Sequence, residues 1–486
     1  MNVFDYLFEN SASLQKDFVI GDKGSIAYQK LYRDSLKVAS YLREKVGQGK
    51  NIILASPNST YFITLYLGIL KSGNVCVPLN YGIEQSNLDY ILDAIDCPMV
   101  FCASTLLRKL TFSELPVFSE DDLAEIIKKG ANPVWEEEFD PDKIAEIIFT
   151  SGSTGKPKGV MLSHKNLMAN TESIVAYLKL TEADIMGVVL PFFYCYGLSL
   201  LHTHLRVGGS IVLNNSFIFL GSVINDLKKY RCTGFAGVPS HFQVLLKKSK
   251  TFKTTDFPDL RYVTQAGGKL HAVFIDEFAR AFPNVDFYVM YGQTEATARL
   301  TYLEPNMIGM RSHSIGKAIP GVEIKIVGKD GQEVGVQEEG ELVARGDNIM
   351  SGYFRDLENT KQTIKDGWLY TGDIAIRDEE GYLYIVGRQK EIIKVGGKRI
   401  SPKEIEAVIL SVSNVIDCTV QGIEDELLGE ALEATVVTAN PEEEEVLKER
   451  ILKKCAKELV TYKIPRHFVF NKSMSLSLTG KKIKAH

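Results

Sequence analysis

The segment AEIIFTSGSTGKPKGVMLS, residues 145–163, carries the most informative pattern in the sequence. Its first six residues form an apolar, β-branched run that predicts a buried strand. Glycines and hydroxyl side chains follow, and such residues let a backbone turn its N–H groups towards an anion. Lys156 and Lys158 add positive charge, and a helix is expected to begin near Ser163. The segment therefore predicts a phosphate-binding loop between a strand and a helix.

This loop differs from the Walker A pattern, in which GxxxxGK and a following Ser or Thr open a helix. Gly152 and Gly155 are only three residues apart, and Pro157 follows the lysine, where proline prevents a helix from continuing. We therefore expect a movable flap over phosphates and not a rigid cradle. The candidate phosphate-binding residues are Thr150, Ser151, Gly152, Ser153, Thr154, Gly155 and Lys156.

Short apolar runs alternate with amphipathic helical patterns on both sides of the loop. This alternation predicts an α/β fold with parallel-rich sheets sandwiched with helices. The predicted strands are residues 51–56, 74–79, 145–150, 209–214, 235–240 and 285–292, and the predicted helices are residues 28–45, 61–71, 88–95 and 271–281. After about residue 312, strands and turns predict a small β-barrel-like part, in which VEIKIVGKDGQEV (322–334) places a turn between two strands.

The length of the chain and its last hundred or so residues predict more than one domain. A chain of 486 residues is too long for one compact core. From about residue 391 the pattern gives a helix opened by Ser401 and Pro402, two strands, an acidic helix and a last strand. We predict a large N-terminal domain (1–387), a hinge (388–390) and a small, mobile α+β C-terminal domain (391–486).

Composition excludes several classes of protein. With 56 Lys and Arg against 61 Asp and Glu, the chain lacks the basic surface of a nucleic-acid binder. No signal peptide is recognisable at the N-terminus, and the seven cysteines form no CxxC pair, which favours a reducing, cytoplasmic location. Residues 185–205 carry no charge and are long enough to span a bilayer. Because Pro191 and two glycines interrupt them, a buried strand followed by a pocket wall is favoured over a membrane span.

Seven further motifs follow one another in a recognisable order. They are SIAYQKL (25–31), LKSGNVCVPLN (70–80), YGQTEAT (291–297), GELVARG (340–346), GWLYTGD (367–373), GRQKEIIKVGGKRISPKEIE (387–406) and YKIPRHFVF (462–470). With the glycine-rich loop, they make the chain resemble the adenylate-forming superfamily of acyl-CoA synthetases, peptide-synthetase adenylation domains and firefly-type luciferases. The resemblance implies that ATP activates a carboxylic acid to an acyl-adenylate, releasing pyrophosphate, and that the acyl group then passes to a thiol. The implied cofactors are ATP, Mg²⁺ and CoA.

The chemistry explains which residue types such a site needs. A carboxylate attacking the α-phosphate brings two anions together, so the site must neutralise charge and position the reactants. By resemblance, Glu295 holds Mg²⁺, Thr294 donates to the α-phosphate and Tyr291 stacks on adenine. Asp373 is expected to accept from the ribose hydroxyls, assisted by Arg388. The other implied nucleotide contacts are Gly267, Gly268, Gly292 and Gln293.

The resemblance also implies that the C-terminal domain rotates between the two half-reactions. Lys390 occupies the hinge position, and rotation there would present different faces to the site. In the thiol-transfer pose Lys394 faces the site, and Gly396–Gly397 leave room for a pantetheine arm. In the adenylation pose a lysine near the C-terminus enters. It is Lys481 if the Gly-Lys pair of the motif is kept, and Lys482 if the Lys-Ile pair is kept.

The segment PFFYCYG (191–197) resembles the wall of the acyl pocket in this superfamily. Members that activate α-amino acids carry an aspartate there, and this segment has none. A neutral, aromatic wall favours an apolar acyl or aryl chain. Lys269 is expected either to meet a polar or anionic substrate group or to point to solvent. The implied pocket residues are Tyr194, Tyr196, Gly237, Val238, Ala266 and Lys269.

Several functional alternatives stay open at this point. CoA is the expected acceptor, and the alternative is a stand-alone enzyme that loads an acyl or peptidyl carrier protein through its phosphopantetheine arm. A luciferase-like oxidase and an inactive binding homologue are further alternatives. The expected partners are a small carboxylic acid, ATP and CoA, without nucleic acid or a membrane span.

Overall fold

Four β-sheets organise the part of the chain that the structure, a computed structural model, describes. The described residues are 1–22, 24–112, 114–131, 139–151, 156–217, 219–311, 313–388, 393–395, 398–425, 429–440, 443–471 and 473. Strands and helices are numbered below in chain order.

The largest sheet has nine strands, of which six consecutive members run parallel. The order across the sheet is β15-β14-β13-β12-β11-β9-β10-β1-β2, with β2, β14 and β15 antiparallel at the edges. Its strands are β1 (Asp17–Ile20), β2 (Ile26–Ala27), β9 (Ile185–Val188), β10 (Ser210–Leu213), β11 (Gly234–Gly237), β12 (Tyr262–Gln265), β13 (Asp286–Tyr291), β14 (Thr301–Leu303) and β15 (Lys317–Ala318). The parallel arrangement agrees with the predicted strand–helix alternation.

The second sheet carries the glycine-rich loop. Its strands are β3 (Asn51–Ala55), β4 (Val75–Leu79), β5 (Val100–Cys102), β6 (Val117–Phe118), β7 (Ile144–Ser151), β8 (Pro157–Ser163) and β18 (Gly352–Tyr353). Strand β8 returns antiparallel along β7, so the loop joins two arms of a hairpin before the helix begins at His164. The sequence predicted the strand and the helix and missed β8, because the pattern after Pro157 is too short to separate strand from loop.

Helices fill the connections between the parallel strands and cover both sheets. They are α1 (Val3–Phe8), α2 (Tyr28–Val46), α3 (Thr60–Lys71), α4 (Gln85–Ala94), α5 (Glu120–Lys129), α6 (His164–Leu178), α7 (Cys195–Val207), α8 (Leu220–Lys229), α9 (Pro239–Lys248), α10 (Ala272–Ala281), α11 (Ile308–Arg311) and α12 (Leu357–Thr363). Helix α3 is buried at every position from 61 to 70, as expected of a helix that is apolar on all sides. It packs in the largest hydrophobic core together with residues of α2 and α7.

The uncharged run 185–205 forms strand β9, a short wall and then helix α7. The sequence predicted the strand and the wall and missed the helix, because an apolar run without polar spacing shows no helical periodicity. All residues of α7 from 195 to 205 are buried, which explains why the run carries no charge. Of the helices in the described ranges, none has both the length and the apolar character that crossing a bilayer requires.

A buried polar network joins α3, β7 and α7 inside this core. The Tyr66 hydroxyl donates to Oε2 of Glu146 at 2.7 Å and lies 2.7 Å from Nε2 of His202. Burial raises the pKa of Glu146 from 4.5 to about 7, against the opposing hydrogen bond from Tyr66. Burial also lowers the pKa of His202 to about 3, so the imidazole is neutral at physiological pH. The network therefore contains one carboxyl whose proton is lost near neutrality.

Glu146→Gln is expected to change how stability depends on pH. In wild type the folded state keeps the Glu146 proton to higher pH than the unfolded state, so stability falls as pH rises from 4.5 to about 7. The glutamine side chain has no proton to lose, and the melting temperature of the variant relative to wild type should rise between about pH 5 and about pH 8. Thermal melts of the variant and of the exposed control Glu172→Gln test this. Parallel curves for Glu146→Gln and wild type would contradict it.

The third sheet is antiparallel. Along the sequence, its strands come after those of the largest sheet and before the C-terminal unit. Its strands are β16 (Val322–Val327), β17 (Gly340–Gly346), β19 (Ile364–Lys365), β20 (Trp368–Arg377) and β21 (Leu383–Arg388). The segment 322–334 was predicted as a hairpin, but only its first arm is a regular strand. Strand β16 pairs with β17, and the return arm touches it through a single bridge between Val327 and Glu333.

The C-terminal unit is a mixed sheet with two helices, as predicted. Its elements are β22 (Ile393–Val395), β23 (Lys398–Ile400), α13 (Pro402–Leu410), β24 (Val415–Asp425), β25 (Gly429–Thr438), α14 (Glu444–Glu458) and β26 (His467–Asn471). The Ser401 hydroxyl donates to the Val386 carbonyl at 2.7 Å, and Lys248 donates to the carbonyls of Thr438 and Ala439. These bonds dock the unit on the rest of the chain. The predicted 388–390 hinge lies largely outside the described residues.

Candidate active site

The YGQTEAT motif follows strand β13, at the carboxyl end of the parallel part of the largest sheet. Ligand sites of open α/β sheets lie at such ends. After Tyr291 the chain turns through Gly292 into a single 3₁₀ turn at Thr294–Ala296. A Cβ at Gly292 would collide with the Ala298 carbonyl, so only glycine permits this close approach. The turn thus presents Tyr291, Thr294 and Glu295 one after another, with Gln293 between them.

Asp373 joins Tyr291 to Arg388. The Tyr291 hydroxyl donates to Oδ2 of Asp373 at 2.6 Å, and Nε of Arg388 donates to Oδ1 at 2.9 Å. Asp373 and Arg388 are direct partners across β20 and β21. The Asp373 side chain is 4% exposed, whereas that of Arg388 is 60% exposed. Burial and the adjacent Asp373 carboxylate raise the pKa of Tyr291 far above its usual value, so the phenol stays a donor.

Glu295 lies beside the basic hairpin formed by β7 and β8. The Tyr353 hydroxyl donates to Oε1 of Glu295 at 2.8 Å. The ammonium of Lys158 lies 5.2 Å from the centroid of the Tyr353 ring and donates to Oδ1 of Asn359 at 2.7 Å. Burial and the neighbouring Glu295 raise the pKa of Tyr353. One tyrosine therefore connects the carboxylate to the positively charged arm of the hairpin.

The aromatic wall, residues 191–197, leads into helix α7 and lies beside the turn that carries Thr294. Asn58 fixes it: its Nδ2 donates to the Leu190 carbonyl at 2.8 Å, and the Phe192 N–H donates to its Oδ1 at 2.8 Å. The Cys195 sulfur lies 3.6 Å from the Thr294 hydroxyl. Burial raises the pKa of Tyr194, whose charged neighbours include Glu295, Arg299 and Arg388. The predicted acyl wall and the predicted nucleotide residues are thus adjacent.

The remaining predicted backbone contacts lie at the carboxyl ends of β11 and β12. The Ala266 N–H donates to the Gly237 carbonyl at 3.3 Å, which joins the two strand ends. Gly267 adopts φ +82, a left-handed conformation that favours glycine, and Nε2 of Gln265 donates to the Gly268 carbonyl at 2.7 Å. Val238 follows β11 directly and is the N-cap residue of helix α9. These residues form a second rim of the same strand-end region.

Lys269 has its charged neighbours on the C-terminal unit. Its side chain is exposed, but the surrounding protein partly desolvates the ammonium. This desolvation lowers the pKa of Lys269. The neighbouring Lys403 lowers it further, and Glu406 opposes the shift. Lys403 and Glu406 belong to helix α13. The placement of Lys269 in the acyl pocket therefore stays a prediction.

Comparison with known proteins identifies the family. A family model described as AMP-binding enzyme matches residues 8–354, and one described as AMP-binding enzyme C-terminal domain matches residues 404–481. The chain belongs to the AMP-binding enzyme family. The predicted resemblance to the adenylate-forming superfamily is thereby confirmed.

Similar proteins cover nearly the whole of this AMP-binding enzyme. Oxalate–CoA ligase of Arabidopsis thaliana is 29% identical over 499 residues, covering 98% of this chain and 96% of that protein. 4-Coumarate–CoA ligase 3 of Oryza sativa subsp. japonica is 30% identical over 505 residues, covering 99% and 90%. The crystal structure of ATP-bound MatB from Rhodopseudomonas palustris superposes with a TM-score of 0.87 at 26% identity, covering 99% and 97%. The predicted fold class is confirmed.

Part of the predicted site of this AMP-binding enzyme lies outside the described residues. Those positions are Gly152, Ser153, Thr154, Gly155, Lys390, Gly396, Gly397, Lys481 and Lys482, and the side chains of Ser151 and Lys394. At the two ends of the loop, the Thr150 hydroxyl donates to the Lys158 carbonyl at 3.5 Å, and the Lys156 ammonium lies 5.4 Å from the centroid of the Tyr90 ring. The described part of the hairpin is therefore basic and faces tyrosine rings.

Sequence reasoning missed three residues of this region, namely Asn58, Tyr353 and Arg299. Arg299 is the most unexpected, because the acyl wall was predicted to be neutral. It is 2% exposed, and its guanidinium carbon lies 4.0 Å from the centroid of the Tyr196 ring. The Tyr196 hydroxyl is itself held by the carbonyl and hydroxyl oxygens of Thr264, at 3.0 and 2.9 Å. The only sequence signal was a lone arginine in the small, apolar run that follows the YGQTE motif.

Proposed function

We propose that this AMP-binding enzyme uses ATP to convert a carboxylic acid into an acyl-adenylate and then transfers the acyl group to CoA. It is an AMP-forming acid–thiol ligase of the acyl-CoA synthetase type. The observation that carries the site assignment is the convergence of Asp373, Glu295 and the basic hairpin on the strand-end region of β13. Its relatives include ligases of two different acids, oxalate and 4-coumarate.

In the first half-reaction a carboxylate oxygen attacks the α-phosphorus of ATP, and the bond from that phosphorus to the bridging oxygen breaks as pyrophosphate leaves. No covalent enzyme intermediate is needed, so positioning and charge neutralisation supply the catalysis. We assign the Thr294 hydroxyl as a donor to the α-phosphate. Lys156 and Lys158 bring positive charge towards the phosphates from the two ends of the loop. The 3.6 Å distance between the Thr294 hydroxyl and the sulfur of Cys195, a residue of the proposed acyl wall, supports this assignment.

The nucleoside is assigned to the three hydrogen-bonded side chains of Tyr291, Asp373 and Arg388. Asp373 is a charged acceptor whose two oxygens can each take more than one hydrogen bond, which matches a pair of ribose hydroxyls. Arg388 holds one oxygen and extends outwards, where it can reach the ribose. Tyr291 is anchored through its hydroxyl, so its ring face is the surface left for adenine. Gly267, Gly268, Gly292 and Gln293 are assigned to the surrounding backbone.

Mg²⁺ is assigned to Glu295. In the described part of the chain no group of three or more acidic, His or Cys side chains is placed to hold a metal. That fits Mg²⁺, which usually keeps several waters and binds through one or two carboxylates plus substrate phosphates. When bound, Mg²⁺ would neutralise phosphate charge during the displacement. The chain's own contribution is Tyr353, which orients Glu295 through a 2.8 Å hydrogen bond.

The second half-reaction is assigned by resemblance. We propose two domains, 1–387 and 391–486, whose relative rotation at the 388–390 hinge exchanges Lys481 for Lys394 at the site. Separate family matches to residues 8–354 and 404–481 support this division. Gly396–Gly397 would admit the pantetheine arm of CoA. The alternative acceptor is the same arm on a carrier protein. Seven free, buried cysteines support a cytoplasmic location, because a reducing compartment preserves thiols.

An ATP–pyrophosphate exchange screen over fatty, aryl, amino and dicarboxylic acids tests the first half-reaction. We expect exchange with at least one acid class and none without acid. Adding CoA should then give AMP and the acyl-CoA, detected by mass spectrometry. Loading of a holo carrier protein in preference to CoA would move the assignment to the alternative acceptor. Absence of exchange with every acid would contradict the proposed function.

A further inference from the structure

Arg299 is an exception among the charged side chains of this enzyme. Among the described residues it is the only arginine or lysine that is almost completely buried. Buried charges in proteins are normally paired, because an unpaired ion in the interior costs several kcal/mol. Three buried carboxylates here follow that rule: Asp184 pairs with Arg261, Asp373 with Arg388 and Glu406 with Lys403.

Every observed partner of the Arg299 guanidinium is neutral. Nε donates to the Met290 sulfur at 3.3 Å, and Nη1 donates to the Ala298 carbonyl at 3.1 Å. Its planar face rests on the Tyr196 ring. Burial raises the pKa of Tyr177, and the adjacent Arg299 opposes that rise. A guanidinium has five N–H donors, and in the described ranges no carboxylate forms a salt bridge with this one.

The position of Arg299 is fixed from its backbone. Nδ2 of Asn348 donates to the Arg299 carbonyl at 2.8 Å, and Nδ2 of Asn170 donates to it at 3.5 Å. Asn348 also donates to the Ala296 carbonyl at 3.3 Å, so it supports the turn that carries Thr294 and Glu295. Arg299 therefore lies three residues after the turn that carries Thr294 and Glu295, is held by the same asparagine as that turn, and contacts the predicted acyl wall at Tyr196.

We propose that Arg299 binds a second anionic group of the acid, so that the substrate is a dicarboxylic acid of which only one carboxylate is adenylated. This deepens the proposed function and rests on it. A bidentate guanidinium–carboxylate pair is the geometry that arginine provides best, and a buried one replaces the missing counter-charge. An apolar acyl tail would leave the buried cation uncompensated. The neutral wall expected from the sequence is therefore replaced by an aromatic wall with one cation.

A purely structural role for Arg299 makes a different prediction. Its cation–π contact with Tyr196 stabilises the wall whatever acid is bound. In that case removal of the charge would lower stability and affect all acids equally. Specificity for a second carboxylate would instead appear as a difference between acids.

The decisive experiment uses wild-type enzyme, so it does not depend on the folding of a variant. Saturated α,ω-dicarboxylic acids from oxalate to suberate are compared with their own half-amides in ATP–pyrophosphate exchange. Each pair has the same length and differs only in the second charge. For the best chain length we expect kcat/KM to be about a hundredfold higher for the diacid, as for loss of one partner of a buried charge pair. Equal values, or a preference for half-amides or monocarboxylic acids, would overturn the proposal.

Variants then assign the effect to Arg299. Arg299→Met should lower kcat/KM for the diacid about a hundredfold and leave the half-amide within about threefold, and Arg299→Lys should recover part of the loss. The matched control is Arg231→Met, which removes an exposed arginine paired with Asp259. Equal losses for diacid and half-amide in Arg299→Met would assign Arg299 to structure alone. The two proposals can fail separately. If the enzyme exchanges pyrophosphate with some acid but shows no preference for diacids, this inference is wrong and the proposed function is not contradicted.

Discussion

Asp373→Asn is expected to lower kcat/KM for ATP in the exchange reaction by about a hundredfold to a thousandfold. Asparagine keeps the size of the side chain and removes the charge that holds Arg388 at 2.9 Å. It also replaces one acceptor oxygen by an NH₂ donor. That donor faces either the Tyr291 hydroxyl or the Arg388 guanidinium, both of which are donors themselves. The pocket for the ribose would therefore lose both its acceptor and its geometry.

The loss should appear mainly in the KM for ATP, because the proposed role of Asp373 is to bind the nucleoside. Steady-state exchange at varied ATP measures this, with circular dichroism to establish that the fold is retained. Asp259→Asn is the matched control, since Asp259 also pairs with an arginine, but that arginine is 76% exposed and the Asp259 side chain is 25% exposed. A wild-type KM for ATP in the Asp373→Asn enzyme would contradict the assignment of the nucleoside to this carboxylate.

The sequence predicts the fold well where local patterns decide it. Strands such as 51–55 and 75–79 are apolar runs too short for a helix and lie next to predicted helices, so their length decides the prediction. Helix α13 begins at Pro402 after Ser401, as its start signal predicts. Helix α7 was missed for the opposite reason. Its uncharged run is buried on all sides, so the alternation that distinguishes a helix from a strand is absent.

The candidate site was predictable only in its contiguous motifs. Tyr291, Asp373 and Arg388 were predicted because each lies in a recognisable stretch, and the register of β20 with β21 brings two of them together. Tyr353 contacts Glu295 from 58 positions along the chain, and no local pattern records that contact. Arg299 was missed because burial is a tertiary property. A lone arginine is taken for a surface residue until the elements packed around it are known.

Glu295→Gln is expected to reduce exchange by about a hundredfold at low Mg²⁺ and by less when Mg²⁺ is raised. Glutamine still accepts the hydrogen bond from Tyr353 and loses the charge that a hard cation requires. If Glu295 contacts the metal, the half-saturating Mg²⁺ concentration must rise, because affinity for the metal–nucleotide complex is what the charge provides. Measuring exchange over a Mg²⁺ titration at fixed ATP tests that rise directly.

Two further variants separate the metal role from a structural one. Tyr353→Phe removes only the hydroxyl that orients Glu295, so it should shift the Mg²⁺ requirement in the same direction by a smaller factor, about threefold to tenfold. Glu323→Gln removes the β16 partner of an exposed ion pair with Arg345 of β17 and should leave the Mg²⁺ requirement unchanged. If Glu295→Gln lowers the rate equally at every Mg²⁺ concentration, the carboxylate acts on the turn and not on the metal. If Glu295 holds the metal and Tyr353 orients Glu295, the half-saturating Mg²⁺ concentration should rise most in Glu295→Gln and less in Tyr353→Phe. It should not rise in Glu323→Gln.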